Sequence, residues 1–315
     1  MRRGYAPGDS CRGPAMDGIL NIDKPPGKTS FTIVAMIRRL SGERRVGHAG
    51  TLDPAATGVL PVCLGRGTRV IEFLMDTTKT YRAEVELGAS TDTYDGTGRI
   101  TGTGDASGIS RQQLESALDS FRGAISQTPP MYSAVKYRGQ PLYKLARAGI
   151  EIERKSRPAT IHRLELTDWQ PPSVTLEVEC SKGTYIRSLA HDLGQNLGCG
   201  AHLKGLVRTR CGVFGIEEAV TMSRLEEAFR GGYWEHYLYP IDAAIRHHHA
   251  VVVSDDTAAA IRRGSPVILE GAGNPGNDGE AIPEHCRAYT LDGRFLAVLR
   301  NVPEKGVWQP KKVML

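Results

Sequence analysis

Residues 47–62, GHAGTLDPAATGVLPV, place one carboxylate in a turn of small residues and then run directly into an apolar strand. Pro54 biases Asp53 away from the helical region, while Gly47 and Gly50 give the preceding backbone conformations closed to other residues. The turn aims the Asp53 side chain. The following GVLPVCL reads as a buried strand that anchors it.

A chain of 315 residues, 40% hydrophobic and 24% charged, can bury a large core and divide into two domains. It has no run of about 18 apolar residues, which argues against a membrane role. The opening MRRGYAPGDSCRGPA carries two arginines with no apolar stretch behind them, so residues 1–15 read as a flexible tail rather than a signal peptide, with Met16 as a candidate functional start. Cysteines at 11, 63, 180, 199, 211 and 286 form no C-x-x-C pair. Neither zinc-ribbon spacing nor a small disulfide framework is indicated, and reduced thiols in a cytoplasmic protein are the simplest account.

The net charge of +5 is only mildly basic, so where the charge lies matters more than its total. Between Pro129 and Arg157, Lys136, Arg138, Lys144, Arg147, Arg154, Lys155 and Arg157 face only Glu151 and Glu153. Tyr132, Tyr137 and Tyr143 interleave with these cations. That mixture suits phosphate contact and base stacking, although a solvated helix face would look similar.

GILNIDKP reads as a short strand closed by Pro25, and TSFTIVAMIRRL as a helix with Ile33, Met36, Ile37 and Leu40 on one face. GTRVIEFLM reads as a further helix. Tyr81, Ala83, Val85 and Leu87 alternate with Arg82, Glu84 and Glu86, the period of a half-buried strand. SRQQLESALDSF carries Ser110 and Gln113 at capping-box spacing. TLEVEC reads as a strand, TYIRSLAHDLGQNLG as a helix with Ile186, Leu189, Ala190 and Leu193 inward, and HLKGLVRTRCGVFGI as extended chain. Irregular alternation with hairpin-like pairs favours an α+β fold with a mixed, largely antiparallel sheet over a doubly wound parallel one. From about residue 250, the strands AVVV, PVIL, CRAYTL and FLAVLR and one helix, SDDTAAAIRRG, indicate a small β-rich domain. Its EGAGNPGNDGEAIPEH segment reads as a mobile surface loop.

Several motifs invite chemistry that their spacing withholds. NIDKPPGKTSF resembles a phosphate-binding loop, but the first glycine of that motif would fall at Ile22. Asp92 and Asp95 in STDTYDGTGRI lack EF-hand spacing and read as solvated carboxylates of a hairpin turn. His247, His248 and His249 read as a strand edge rather than a ligand cluster. Two readings stay open for Arg187 in the first turn of its helix, where the dipole disfavours a cation: a surface residue with its stem on apolar neighbours, or a bidentate partner for a carboxylate such as Asp53.

NIDKPPGKTS, GHAGTLDPAATGVLPV, KTYRAEVELG, TDTYDGTG, PPMYSAVKYRGQPLYKLAR, CSKGTYIRSLAHDLG and GAHLKGLVRTR, in that order over most of residues 17–215, together resemble the TruB family of pseudouridine synthases. The resemblance implies isomerisation of the T-loop uridine of tRNA, conventionally position 55, to pseudouridine, with Asp53 as the essential carboxylate. It assigns Arg187 to the pocket, Tyr81 to stacking on the target base, and Tyr185 and Leu206 to the pocket wall. His48 would fill space vacated in the T-loop, and Lys24 would lie beside the pocket at the end of its strand.

The implied layout is a catalytic domain over 16–249 with a helical, basic, RNA-gripping insertion near 129–157, in which Lys136, Arg138, Lys144 and Arg147 would meet RNA, and a PUA-like RNA-binding domain over 250–315. The expected partner is the tRNA T-arm, with no membrane, no metal, no cofactor and no obligatory protein partner. Two rivals are a guide-RNA-dependent relative acting on ribosomal RNA and a non-catalytic RNA-binding or RNA-folding protein. The insertion speaks against the first, and intact Asp53, Tyr81 and Arg187 against the second.

Overall fold

The computed structural model describes residues 16–269 and 283–314. The N-terminal tail, Cys11 and most of the expected 270–285 loop lie outside the described residues. In chain order the main elements are β1 (Gly18–Lys24), α1 (Ser30–Ser41), β2 (Val46–His48), β3 (Thr57–Leu64), α2 (Ile71–Asp76), β4 (Lys79–Leu87), α3 (Arg111–Asp119), β5 (Gly123–Gln127), α4 (Leu142–Arg147), β6 (Arg157–Gln170), β7 (Ser173–Cys180), α5 (Ile186–Asn196) and β8 (Ala201–Cys211). They build one large sheet with the order Val220–Thr221, β1, β3, β8, β4, β7, β6, β5. Only the β8–β3 pair and the short strand on β1 run parallel along that path. The sheet is therefore mixed and largely antiparallel, as the alternation pattern implies.

Local chemistry accounts for the elements that carry the site. Thr29 caps α1 by accepting from the Thr32 amide, and Gly42 closes the helix in a left-handed conformation. Ile33, Val34 and Ile37 are buried against the sheet, each such side chain contributing about 1.5–3 kcal/mol on burial. Ser110 and Gln113 form the expected capping box of α3. In β4, Ala83, Val85 and Leu87 are buried while Arg82 and Glu84 are exposed, so the period-two reading holds. The helix expected over GTRVIEFLM begins instead as a tight 3-10 turn, Gly65–Val70, before α2.

Two apolar clusters flank the central strands. One gathers β1, β3 and α1 through Leu20, Ile33, Ile37, Leu60 and Val62. The other gathers β4, β6, β7, α3 and α5 through Val85, Leu118, Leu164, Val178 and Leu189. Tyr81 and Leu206 pack against both, which places them on the seam of the sheet.

α6 (Met222–Gly231) then leads to the C-terminal sheet, formed in order by β9 (His249–Val252), β10 (His285–Tyr289), β11 (Phe295–Val302) and β12 (Val307–Val313), with α7 (Asp255–Arg262) against it. The expected strand over PVIL is not formed, since Val267 makes only an isolated bridge to Trp308. The fourth strand is β12, whose sequence VWQPKKV breaks simple alternation with a proline and two lysines. This small sheet is not detached. Val298 and Met314 share a core with Ile19, Val59 and Ile245, and Lys311 lies 4.9 Å above the Phe73 ring. His248, in the histidine triplet, packs edge-on against Phe73, and burial with the neighbouring His247, His285, Arg287 and Lys311 lowers it to about 4.

Candidate active site

The Asp53 turn is pinned from several directions. The Ser30 hydroxyl at the start of α1 accepts from the Leu52 amide at 2.9 Å and donates to the Leu52 carbonyl at 3.1 Å. The Pro54 carbonyl accepts from the Gly27 amide at 2.8 Å and from the Lys24 ammonium at 3.2 Å. Lys24 is fully enclosed, also donating to the Pro25 and Lys28 carbonyls, and its burial lowers its pKa while Asp53 opposes that shift. Its role here is to cross-link backbone beside the carboxylate. The Lys24 and Ser30 side chains that make these bonds are themselves enclosed, so Asp53 is presented from a fixed backbone.

Arg187 settles between its two readings. Its side chain is only 7% exposed, and its Nε lies 3.0 Å from Asp53 Oδ2. Asp53 keeps 43% exposure, so the carboxylate is the member of the pair that a substrate can reach. The remaining guanidinium donors meet the Thr93 carbonyl at 3.3 Å, the Tyr132 carbonyl at 2.9 Å and Asp95 Oδ2 at 3.5 Å. Two carboxylates offset the unfavourable end of the helix dipole. Burial pushes the Asp53 carboxyl above its ordinary range; Arg187 opposes the shift, Asp95 adds to it and Lys24 opposes it.

Asp95 corrects the reading of STDTYDGTGRI. It is not a solvated turn carboxylate, for its side chain is 17% exposed and spoken for on both oxygens. Oδ1 accepts from Thr93 Oγ1, the Thr97 amide and Thr97 Oγ1, leaving Oδ2 toward Arg187. The loop is sewn to β8 by the Gly96 amide to the Leu203 carbonyl and the Leu203 amide to the Tyr94 carbonyl. Tyr94 adopts a left-handed backbone, φ 65°, and stacks on His191 at 3.9 Å between ring centroids. Nothing local in the sequence links Asp95 to Arg187; the link arises where this loop, bridged to Leu203 of β8, meets α5.

Tyr81, on β4, stands directly opposite Arg208 on β8, and Leu206 is two residues along the same strand. Burial pushes the Tyr81 phenol up to about 12, against the opposing effect of Arg208. The hydroxyl therefore stays protonated and the ring remains a neutral stacking surface. Tyr185 precedes α5 with no side-chain cap of its own. Gln127, at the end of β5 and buried, replaces it, accepting from the Tyr185 amide at 2.9 Å and donating to its carbonyl at 3.0 Å. Burial also raises the Tyr185 phenol, while the nearby Arg187 lowers it and Asp53 raises it, so this ring shares the neighbourhood of the ion pair. His48, on β2, is half-buried with Nδ1 unpartnered among the described residues, and burial, with the Arg208 charge, lowers its pKa. Asp53, Arg187, Tyr185 and Lys24 thus form one group, with Tyr81, Leu206 and His48 along the adjoining seam. Asp95, Gln127, Ser30 and Arg208 were absent from the sequence-derived set.

The 129–157 segment is less helical than the family resemblance implies. It is a small hairpin, Lys136–Tyr137 against Gln140–Pro141, followed by the six-residue α4 and extended chain. Gly149 and the prolines at 129, 130 and 141 interrupt any longer helix. Lys136, Arg138, Lys144 and Arg147 are all exposed, and none makes an ion pair among the described residues. The Arg138 and Arg147 guanidinium carbons lie 5.4 Å and 5.7 Å from the Tyr137 and Tyr143 ring centres, where cation and ring face solvent together.

The site thus presents a solvent-accessible carboxylate from a pinned turn, held by a buried guanidinium, an arrangement suited to a positioned catalytic carboxylate. Comparison with known proteins agrees. Residues 38–186 match the TruB family pseudouridylate synthase N-terminal domain, and residues 187–246 the tRNA pseudouridylate synthase B C-terminal domain. The chain is 46% identical over 300 residues to tRNA pseudouridine synthase B of Dehalococcoides mccartyi strain CBDB1, covering 95% of this chain and 97% of that one. It is 44% identical over 303 residues to the protein of the same name from Heliobacterium modesticaldum, covering 95% of each. Among solved structures it resembles a chain of a Cbf5-Nop10-Gar1 complex, with TM-score 0.72, 28% identity, and 95% of this chain and 85% of that one covered. A chain of an H/ACA RNP bound to a substrate RNA containing 2'-deoxyuridine gives TM-score 0.71 at 26% identity, with the same coverage. The protein belongs to the TruB family of pseudouridine synthases.

Proposed function

We propose that this chain converts the T-loop uridine of tRNA at position 55 to pseudouridine, with Asp53 as the essential carboxylate acting on a flipped-out nucleotide. The observation that carries the reading is the Asp53–Arg187 pair, with its carboxylate open and its guanidinium buried. The names and high identity of the bacterial relatives support tRNA as substrate. The likeness to guide-dependent assemblies is weaker in sequence, at 26–28% identity, so the guide-RNA reading ranks second.

The reaction breaks the bond from ribose C1′ to N1 and forms one from C1′ to C5 in the same nucleotide; C5 loses a proton and N1 gains one. No electrons enter or leave, so neither an oxidant nor an energy source is consumed. Extruding the base costs a few kcal/mol. Stacking on Tyr81 returns about 1–3 kcal/mol, and Leu206 and Tyr185 supply the pocket wall. Ionised Asp53 serves whether it attacks the sugar, adds to the base or removes a sugar proton, because all three need a carboxylate at the same place. His48 fills space in the T-loop, and Lys24 holds the Asp53 turn. Lys136, Arg138, Lys144 and Arg147 contact RNA phosphates, and the sheet beyond residue 250 acts as a PUA-like RNA-binding module.

The reading places the chain in the cytoplasm; among the described residues no helix is long and apolar enough to cross a membrane. The test is a base-resolved map of pseudouridine in unmodified tRNA after incubation with the purified protein alone. Conversion confined to the T-loop uridine is expected. Conversion elsewhere, or only with a guide RNA or protein partner, contradicts the proposal.

A further inference from the structure

Arg208 is 1% exposed and belongs to none of the groups assigned above. On β8 it lies between Gly58 of β3 and Tyr81 of β4, its direct partners in the two neighbouring strands. Paired residues in a sheet project to the same face, so the Arg208 side chain shares a face with the Tyr81 ring. On the other flank Gly58 offers no side chain, and the Arg208 backbone itself closes against it. The Arg208 Nε donates to the Val59 carbonyl at 2.6 Å and its Nη2 to the Gly50 carbonyl at 3.1 Å. Gly50 lies in the turn that carries Asp53, and Val59 in β3, the strand that the turn enters. The Arg208 charge, on the face shared with Tyr81, opposes the effect of burial on that phenol.

Gly58 explains how this is packed. Its backbone has φ 96°, and a Cβ there would stand 2.3 Å from the Arg208 carbonyl oxygen, so only glycine lets the strands close. A buried cation that directs its hydrogen bonds to the Asp53 turn and to the strand the turn enters is poorly explained as general stabilisation, because an apolar residue of similar volume would serve the core as well or better.

We propose that Arg208 is a positioning residue, which braces the Asp53 turn at Gly50 against β3 at Val59, meets the Tyr81 hydroxyl on their shared face, and so fixes the carboxylate relative to the stacked base. This rests on the pseudouridine synthase reading of the site. A misplacement of about 1 Å can cost about 100-fold in rate without loss of binding. Lysine at this position keeps the charge but has a single nitrogen, which cannot hold Val59, Gly50 and Tyr81 in the same geometry.

The experiment measures single-turnover conversion and affinity for T-arm RNA in native protein, Arg208→Lys, Tyr81→Phe and the double variant. Expected for Arg208→Lys is a rate about 100-fold lower with affinity within about threefold of native. The double variant should be no slower than the slower single one, because both changes break the same link. A native rate in Arg208→Lys, a loss of affinity with the rate retained, or multiplying effects in the double variant would overturn the inference. Should Arg208→Lys lack a native thermal transition, Tyr81→Phe alone decides: affinity holds and turnover falls at least about tenfold, whereas unchanged turnover overturns the link. Absence of pseudouridine with native protein would remove the reading of the site and this inference with it; native turnover with a full-rate Arg208→Lys removes the inference alone.

Discussion

The turn that carries Asp53 and the segment between residues 129 and 157 both touch Arg187, yet they are built in opposite ways. The turn is held at Gly50, Leu52 and Pro54, and the strand after it at Val59, by groups from α1, β8 and the end of β1. The segment meets Arg187 through the Tyr132 carbonyl, and beyond that point exposes cations and tyrosines on a hairpin and one short helix. The contrast follows from the two tasks. Bond rearrangement needs atoms held to fractions of an ångström, whereas phosphates can be followed by charges on adaptable side chains.

The largest effect separating the two regions should come from Arg187. Arg187→Met leaves Asp53 and Asp95 without their shared cation, and because Asp53 is open to solvent the cost should fall below the about 3–5 kcal/mol of a fully buried pair. Chemical denaturation should register that loss, and turnover should fall at least about 100-fold. Full activity and stability would mean that the pair is incidental. Gly58→Ala comes next: a clash at the seam and strain at positive φ should cost about 2–4 kcal/mol in the same assay, and a neutral result would mean that β3 and β8 can separate freely.

The insertion should respond in another way. Replacing Lys136, Lys144 and Arg147 by alanine should leave stability within about 0.5 kcal/mol, since all three are exposed and make no ion pairs among the described residues. The slope of log affinity against log salt should flatten by about 2–3, and an unchanged slope would remove the segment from the interface.

The smallest effect is on pH dependence. Burial raises the Asp53 pKa above the ordinary carboxylate value of 3.8. If the ionised form is the active one, turnover should fail on acidification at a higher pH than an ordinary carboxylate would dictate. Asp95→Asn removes a charge that raises Asp53, so this acid limb should move to lower pH, even though the weaker hold on Arg187 reduces the plateau. A limb that stays put would show that Asp95 acts on Arg187 alone. The folded state also bears the sign of this shift: a carboxyl raised on folding makes its stability contribution at low pH and loses it as pH rises through the folded value, so ionising Asp53 in the folded protein costs stability.

What could be read from the sequence divides along the same line. Asp53 was legible because Pro54 and the flanking glycines constrain backbone over a few residues. β4 and the capped α3 were legible for the same reason, their signals lying within a single element. The aimed carboxylate and its Arg187 partner could be named, the pairing only as one of two readings. Asp95, Gln127 and Arg208 could not, because each acquires its role from a partner more than fifty residues away. The insertion misled in the opposite sense, since its composition carried its charge correctly while its prolines and glycines denied it a long helix. In the C-terminal sheet, β12 was hidden because Pro310, Lys311 and Lys312 interrupt the alternation that marks a strand.

The central claim is that the open carboxylate held by Arg187 performs the chemistry while the rest of the surface holds RNA. Single-turnover assay of Asp53→Asn, an isosteric change, on T-arm RNA alongside a binding titration tests it most directly. The account predicts native-like affinity with no uridine converted; measurable conversion by that variant would contradict it.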